Sequence, residues 1–110
     1  MKEFEENWLK RINAFIDENL QNPNFQLMDL TKELGISTAQ LYRRISKLTG
    51  ISPNKYIRQI RLQKAKEILE RGTYPTVRET AESVGYLQPE YFTKLFKKEF
   101  NVLPKDILKQ

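Results

Sequence analysis

The stretch Leu30-Thr31-Lys32-Glu33-Leu34-Gly35-Ile36-Ser37-Thr38-Ala39-Gln40-Leu41-Tyr42-Arg43-Arg44-Ile45 decides how this chain folds. Leu27, Leu30 and Leu34 recur at helical spacing, and Leu41, Ile45 and Leu48 resume that period after Gly35-Ile36-Ser37. Glycine enters left-handed backbone without steric cost, so Gly35 closes the first run and the three residues read as a tight turn. A short helix, a glycine turn and a second helix make the helix-turn-helix pattern. Its second helix is held across the first and can enter a major groove of DNA.

The unit occurs twice. Leu34-Gly35 aligns with Val84-Gly85 at an offset of 50, whereas Leu41 with Phe92, Arg43 with Lys94, Ile45 with Phe96 and Pro53 with Pro104 align at 51. The second turn therefore carries one inserted residue. Ahead of the first copy, Trp8, Ile12, Phe15, Ile16 and Leu20 predict an amphipathic helix over 3–21 that ends before Asn22-Pro23-Asn24.

Between the copies, Ser52-Pro53 offers an N-cap and a pre-set first helical residue for a long helix through Arg71. Its expected buried stripe is Tyr56, Ile57, Ile60, Ala65, Ile68 and Leu69, and seventeen or so helical residues at about 1.5 Å each make it about 26 Å long. Thr76-Val77-Arg78-Glu79 reads as a capping box, with hydroxyl and carboxylate each satisfying a first-turn N–H of a fifth helix that runs to Val84. Pro89 opens a sixth helix with Phe92, Phe96 and Phe100 inward, and Pro104 a last short turn with Ile107 and Leu108. The fold class is all-α: about seven helices forming two helix-turn-helix subdomains joined by a long linker helix. The expected division is 1–52 for the N-terminal helix and first helix-turn-helix, 53–72 for the linker helix and 73–110 for the second helix-turn-helix.

Composition removes most chemistry. The 110 residues contain neither cysteine nor histidine, which excludes disulfides, Cys/His zinc sites, thiol nucleophiles and a histidine general base. Ser37, Ser46, Ser52 and Ser83 have no partner constellation, and no phosphate-binding glycine loop or metal-ligand spacing occurs. An enzyme, a metal and a cofactor are all unexpected. No apolar run approaches the roughly 18 residues of a membrane span, and Met1-Lys2-Glu3-Phe4-Glu5-Glu6 is too acidic for a signal peptide. A soluble, cytoplasmic domain without membrane contact is expected.

The formal charge of +5 is unevenly spread. Residues 1–37 hold seven acidic and four basic side chains, net −3; residues 38–72 hold nine basic and two acidic, net +7; residues 73–110 hold six basic and five acidic, net +1. The N-terminal helix is therefore read as a packing element. Arg61, Lys64 and Lys66 are read as a solvated face of the long helix. Arg43 and Lys94 stand at matching repeat positions, each two residues beyond a core position, so each projects from the exposed face of its helix. Arginine can bond guanine O6 and N7 as a bidentate pair, whereas lysine offers a less directional charge.

Leu30 to Ser37, Leu41 to Ile45, Gly50 to Pro53 and Tyr56 to Arg58 together resemble the first helix-turn-helix of the AraC/XylS family of bacterial transcription regulators. Ala81-Glu82-Ser83-Val84-Gly85-Tyr86, Pro89 to Phe92 and Phe96 to Phe100 resemble that family's second unit. The resemblance covers about residues 8–108, and Phe4 to Phe25 resembles the lead-in helix found where such domains close a larger sensor protein, including hybrid two-component regulators. It implies sequence-specific binding of double-stranded DNA, with helices three and six reading successive major grooves about 34 Å apart. It also implies RNA polymerase as a partner, and control by a covalently attached sensor or effector domain outside this chain.

Carried over residue by residue, the first reader presents Thr38, Ala39, Gln40, Tyr42 and Arg43, and the second presents Gln88, Glu90, Thr93 and Lys94. Ala39 can touch only a thymine methyl; Gln40 can bond adenine or stand idle; Tyr42 packs on sugar or stays in solvent. Glu90 accepts from a cytosine amine or complements the positive end of its helix. Arg44, Lys47, Lys55, Arg58, Lys97 and Lys98 are the phosphate candidates. Three departures stand out. Thr31 replaces the usual alanine and is expected to crowd the helix crossing, Leu87-Gln88 replaces the small residues usual before Pro89, and the closing segment Leu103 to Leu108 lacks the usual Tyr-Arg after its proline. The competing reading is a helical protein-interaction module without DNA binding; RNA binding lacks an aromatic sheet signature.

Overall fold

The computed structural model describes residues 2–108; Met1, Lys109 and Gln110, at the ends of the expected outer segments, lie outside the described residues, as does the Lys2 side chain. Among the described residues there are seven helices and no strand: α1 (Lys2–Glu18), α2 (Leu27–Leu34), α3 (Thr38–Thr49), α4 (Pro53–Arg71), α5 (Val77–Ser83), α6 (Pro89–Phe100) and α7 (Pro104–Leu108). Two boundaries fall short of expectation. α1 stops at Glu18 because the Asn19 amide donates to the Phe15 carbonyl at 2.8 Å and its N–H to the Ile16 carbonyl at 3.0 Å, closing the last turn early. α5 stops at Ser83, and Val84 is its C-cap.

The chain forms two compact units, one of residues 1–19 and 24–60, the other of residues 20–23 and 61–110. In the first, Ile12, Ile16, Phe25, Leu30, Leu41, Ile45 and Ile57 are buried, and α2 packs on α3. Phe15 and Phe25 meet with ring centroids 5.7 Å apart. In the second, Leu62, Ala65, Leu69, Ala81, Val84, Phe92 and Phe96 make one apolar cluster where α5, α6 and α7 converge. Phe92, Phe96 and Phe100 stack successively, with centroids 5.6 and 4.7 Å apart, because side chains four residues apart share a helix face.

Of the stripe expected on α4, Ile57, Ala65 and Leu69 are buried, Tyr56, Ile60 and Ile68 are half-buried, and Leu62 joins them. Arg61 overturns its expected place on a solvated face. It is 7% exposed, and its guanidinium donates through Nη1 to the carbonyls of Leu20 at 2.7 Å and Val84 at 2.6 Å, and through Nη2 to that of Asn22 at 3.3 Å. Burial pushes its pKa below the ordinary arginine value and Tyr86 acts in the opposite sense. The carbonyl oxygens supply the negative ends of dipoles, one of them at the α5 C-cap, so a planar cation with several donors fits where a carboxylate is missing from its hydrogen-bond set. Lys64 is exposed as expected, while Lys66 is half-buried, 3.9 Å from Glu70 and above the Phe100 ring.

Candidate nucleic-acid interface

Each copy begins with the same backbone closure. Gly35 and Gly85 take φ of 66° and 92°, and the following residue's N–H returns to the preceding helix: Ile36 to the Thr31 carbonyl at 3.2 Å, Tyr86 to the Ala81 carbonyl at 2.9 Å. Thr31, at the expected crowded position, is half-buried, and its hydroxyl donates to the Met28 carbonyl at 2.8 Å within its own helix. Each copy also ends alike. Gly50 and Asn101 adopt φ of 80° and 58° and donate to the Ser46 and Lys97 carbonyls.

The second helices of the two copies start differently. In α3, the Gln40 N–H donates to Ser37 Oγ at 3.1 Å and the Ser37 N–H to Gln40 Oε1 at 2.9 Å, a reciprocal capping box. The carbonyl oxygen that a bidentate adenine contact needs is thus engaged at home. The N-cap of α6 is Gln88, whose side chain makes no capping bond, and Pro89 occupies the first turn, where a missing N–H costs nothing. The Thr76–Glu79 box is half formed: the Glu79 N–H donates to Thr76 Oγ1 at 3.1 Å, but the carboxylate accepts from the Thr76 hydroxyl at 3.2 Å instead of from a backbone N–H.

On α3, Leu41 and Ile45 are fully buried, which leaves Thr38, Ala39, Gln40, Tyr42, Arg43 and Lys47 exposed; Arg43 and Ala39 lie opposite the buried pair. On α6, Phe92 and Phe96 are fully buried, Gln88, Glu90, Lys94, Lys97 and Lys98 are exposed, and Thr93 is half-buried at the flank. Lys97 Nζ donates to the Asn101 carbonyl at 3.4 Å, completing its own helix end. On α4, Lys55 is exposed and Arg58 half-buried.

Arg44 lies on the flank of α3, its guanidinium carbon 4.0 Å from the centroid of the Trp8 indole. This cation–π contact anchors α3 to α1, a role the charge pattern does not reveal. One residue outside the expected set is Lys105: with Glu90, Thr93, Lys94, Leu103 and Pro104 it lines a groove of about 560 Å³. Only the groove marks Lys105, since its counterpart at an offset of 51 is the uncharged Asn54.

Residues 30–110 match the family model described as a helix-turn-helix domain. The chain is 33% identical over 100 residues to "Histidine kinase P4" of Formosa agariphila, a match that covers 91% of this chain and 7% of that protein. The C-terminal domain of the two-component response regulator yesN from Fusobacterium nucleatum has the same fold, with a TM-score of 0.81 and 32% identity, covering 93% of this chain and 98% of that one. The DNA-binding domain of AdpA, a global transcriptional factor solved in complex with a target DNA, superimposes with a TM-score of 0.81 and 25% identity over 92% of this chain and 89% of that one. The chain thus spans a small fraction of the length of the kinase it matches.

Proposed function

From the premise that this chain belongs to the AraC/XylS family of helix-turn-helix transcription regulators, we propose that it binds duplex DNA sequence-specifically by inserting α3 and α6 into successive major grooves. The observation that carries this reading is the equivalence of Arg43 and Lys94. Each is exposed on the second helix of its unit and sits opposite a fully buried pair, Leu41 and Ile45 in one case, Phe92 and Phe96 in the other. A cation at the same place on two helices with rigid apolar backs is suited to base edges.

Arg43 would take guanine, Lys94 a base edge or phosphate, and Thr93 a neighbouring edge. Thr38, Ala39, Tyr42, Gln88 and Glu90 complete the two reading faces, and Gln40 serves first as a cap. Lys47, Lys55, Arg58, Lys97 and Lys98 would contact phosphate, with Arg44 doing so from its Trp8 platform. The work falls to three parts: 1–52, 53–72 and 73–110. No catalysis is assigned to the chain; the kinase name above belongs to a protein of which it matches 7%. In a longer protein it would be the cytoplasmic output domain of a sensor, with RNA polymerase as its partner on DNA. Among the described residues no helix is long and apolar enough to cross a membrane.

Selection from random duplexes tests the reading. We expect a consensus of two separated parts, and an affinity that falls by about a thousandfold between about 50 and 200 mM salt if some six phosphates are contacted. No enrichment, or an affinity indifferent to salt, sinks it.

A further inference from the structure

The two copies differ by one residue, and the hydrogen bonds locate it. Closure of the turn keeps an offset of 50, since Ile36 N–H to Thr31 carbonyl is matched by Tyr86 N–H to Ala81 carbonyl. The start of the second helix keeps an offset of 51, since Leu41 N–H to Ser37 carbonyl is matched by Phe92 N–H to Gln88 carbonyl. The extra residue between Tyr86 and Gln88 is Leu87. At 65% it is the most exposed large hydrophobic side chain among the described residues.

Insertions in turns favour Gly, Asn, Asp or Ser, whose side chains are polar or absent. Here an isobutyl group is held in water immediately before the N-cap of α6, the helix whose first turn carries Glu90. Tyr91 is exposed too, but its ring packs against Tyr86 at 6.2 Å between centroids and it lies on the flank away from Thr93. Leu87 therefore stands as an apolar group at the leading end of a polar reading face. A recognition helix presents its N-terminal residues to base edges, and the apolar feature of the major groove is the thymine C5-methyl.

We propose that Leu87 is a specificity-determining residue of the second reader that selects thymine through its methyl group; this rests on the duplex-reading function above. The first reader has no counterpart, because its turn lacks the residue.

The 110-residue chain and its Leu87→Ala variant are compared on the duplex selected by the unaltered chain, with each thymine replaced in turn by deoxyuridine, which removes only the methyl. The second part of the site is defined as the positions whose preference changes in Lys94→Ala. For the unaltered chain we expect one thymine there whose replacement weakens binding about fourfold, the worth of one buried methyl. Leu87→Ala is expected to bind the thymine duplex more weakly by a similar factor and to bind thymine and uracil equally at that position. A consensus without a fixed thymine in the second part, or a variant that keeps the full thymine preference, overturns the assignment. A selection that yields no consensus overturns the duplex-reading function itself, and Leu87 with it.

Discussion

The guanidinium of Arg61 occupies the space into which a side chain on Gly85 would project. A Cβ built on Gly85 falls 2.9 Å from Arg61 Cζ and 2.6 Å from the Leu20 carbonyl oxygen, at a residue whose φ is already 92°. The close approach lets one cation hold the Leu20–Asn22 segment and the end of α5 together.

Gly85→Ala is expected to be far more damaging than the same change at Gly35. At Gly35 (φ 66°) nothing lies within 4 Å of an added Cβ, so only backbone strain of about 1–2 kcal/mol is incurred. At Gly85 the substitution also displaces Arg61 from its carbonyls, and a loss of roughly 3–5 kcal/mol is expected. Urea unfolding of the two variants checks the ranking; equal losses would contradict the close approach.

Arg61→Lys should not rescue Arg61→Met. Lysine keeps the charge, but its single ammonium lacks the planar fork that reaches three separate carbonyls. Both variants are expected to lose about 3 kcal/mol or more, since each charged hydrogen bond contributes roughly 1.5–3 kcal/mol. Thermal unfolding showing a lysine variant as stable as the parent would place the guanidinium's contacts in doubt.

Ser37→Ala and Gln40→Ala test the capping box of α3. Each removes one of two reciprocal bonds, at 3.1 and 2.9 Å, and a cost of about 1 kcal/mol is expected for the serine. If Gln40 acts mainly as the cap, its alanine variant loses stability while base preferences in a selection stay the same. A changed base preference without a stability loss would assign Gln40 to DNA instead.

Tyr56 makes stability depend on alkaline pH. Burial raises its pKa above the ordinary 10.0, the hydrogen bond to Asn13 opposes this, and Asp17 raises it further. The folded state therefore holds the phenol proton to higher pH than the unfolded chain does. The stabilisation is fully present below pH 10 and declines as pH rises through and beyond that value. Tyr56→Phe is expected to flatten this part of the difference in unfolding free energy between neutral pH and pH 11, and to remove the 2.6 Å bond to Asn13. An identical alkaline decline in the variant would refute the linkage.

Arg43→Ala should cost about 1–3 kcal/mol on the selected duplex and relax one base position, whereas Lys97→Ala weakens all sequences alike and lowers the salt slope by about one. Competition binding against a single-base panel distinguishes the two patterns.

Much of the architecture is legible because its causes are local. Left-handed glycines, prolines in first turns and leucines or phenylalanines at helical spacing act over a few residues, so the repeat, the seven helices and the exposed places of Arg43 and Lys94 can all be read along the chain. The inserted residue is visible in the alignment as well, but only the hydrogen bonds identify it as Leu87. Gln40 is legible as an exposed amide, yet whether its oxygen turns to Ser37 or to solvent is a rotamer choice that spacing does not encode.

Arg61 marks the limit most clearly. Spacing puts it among charged neighbours, and its partners are backbone carbonyls 23, 39 and 41 residues away. Every residue carries such a carbonyl, so nothing in side-chain chemistry singles out Leu20, Asn22 or Val84 as acceptors. Sequence by itself determined the helices, their repeat and the side chains exposed on the second helix of each copy. Only tertiary structure decided that one cation of the linker helix would be buried, because that depends on where two segments far apart in the sequence place their carbonyls.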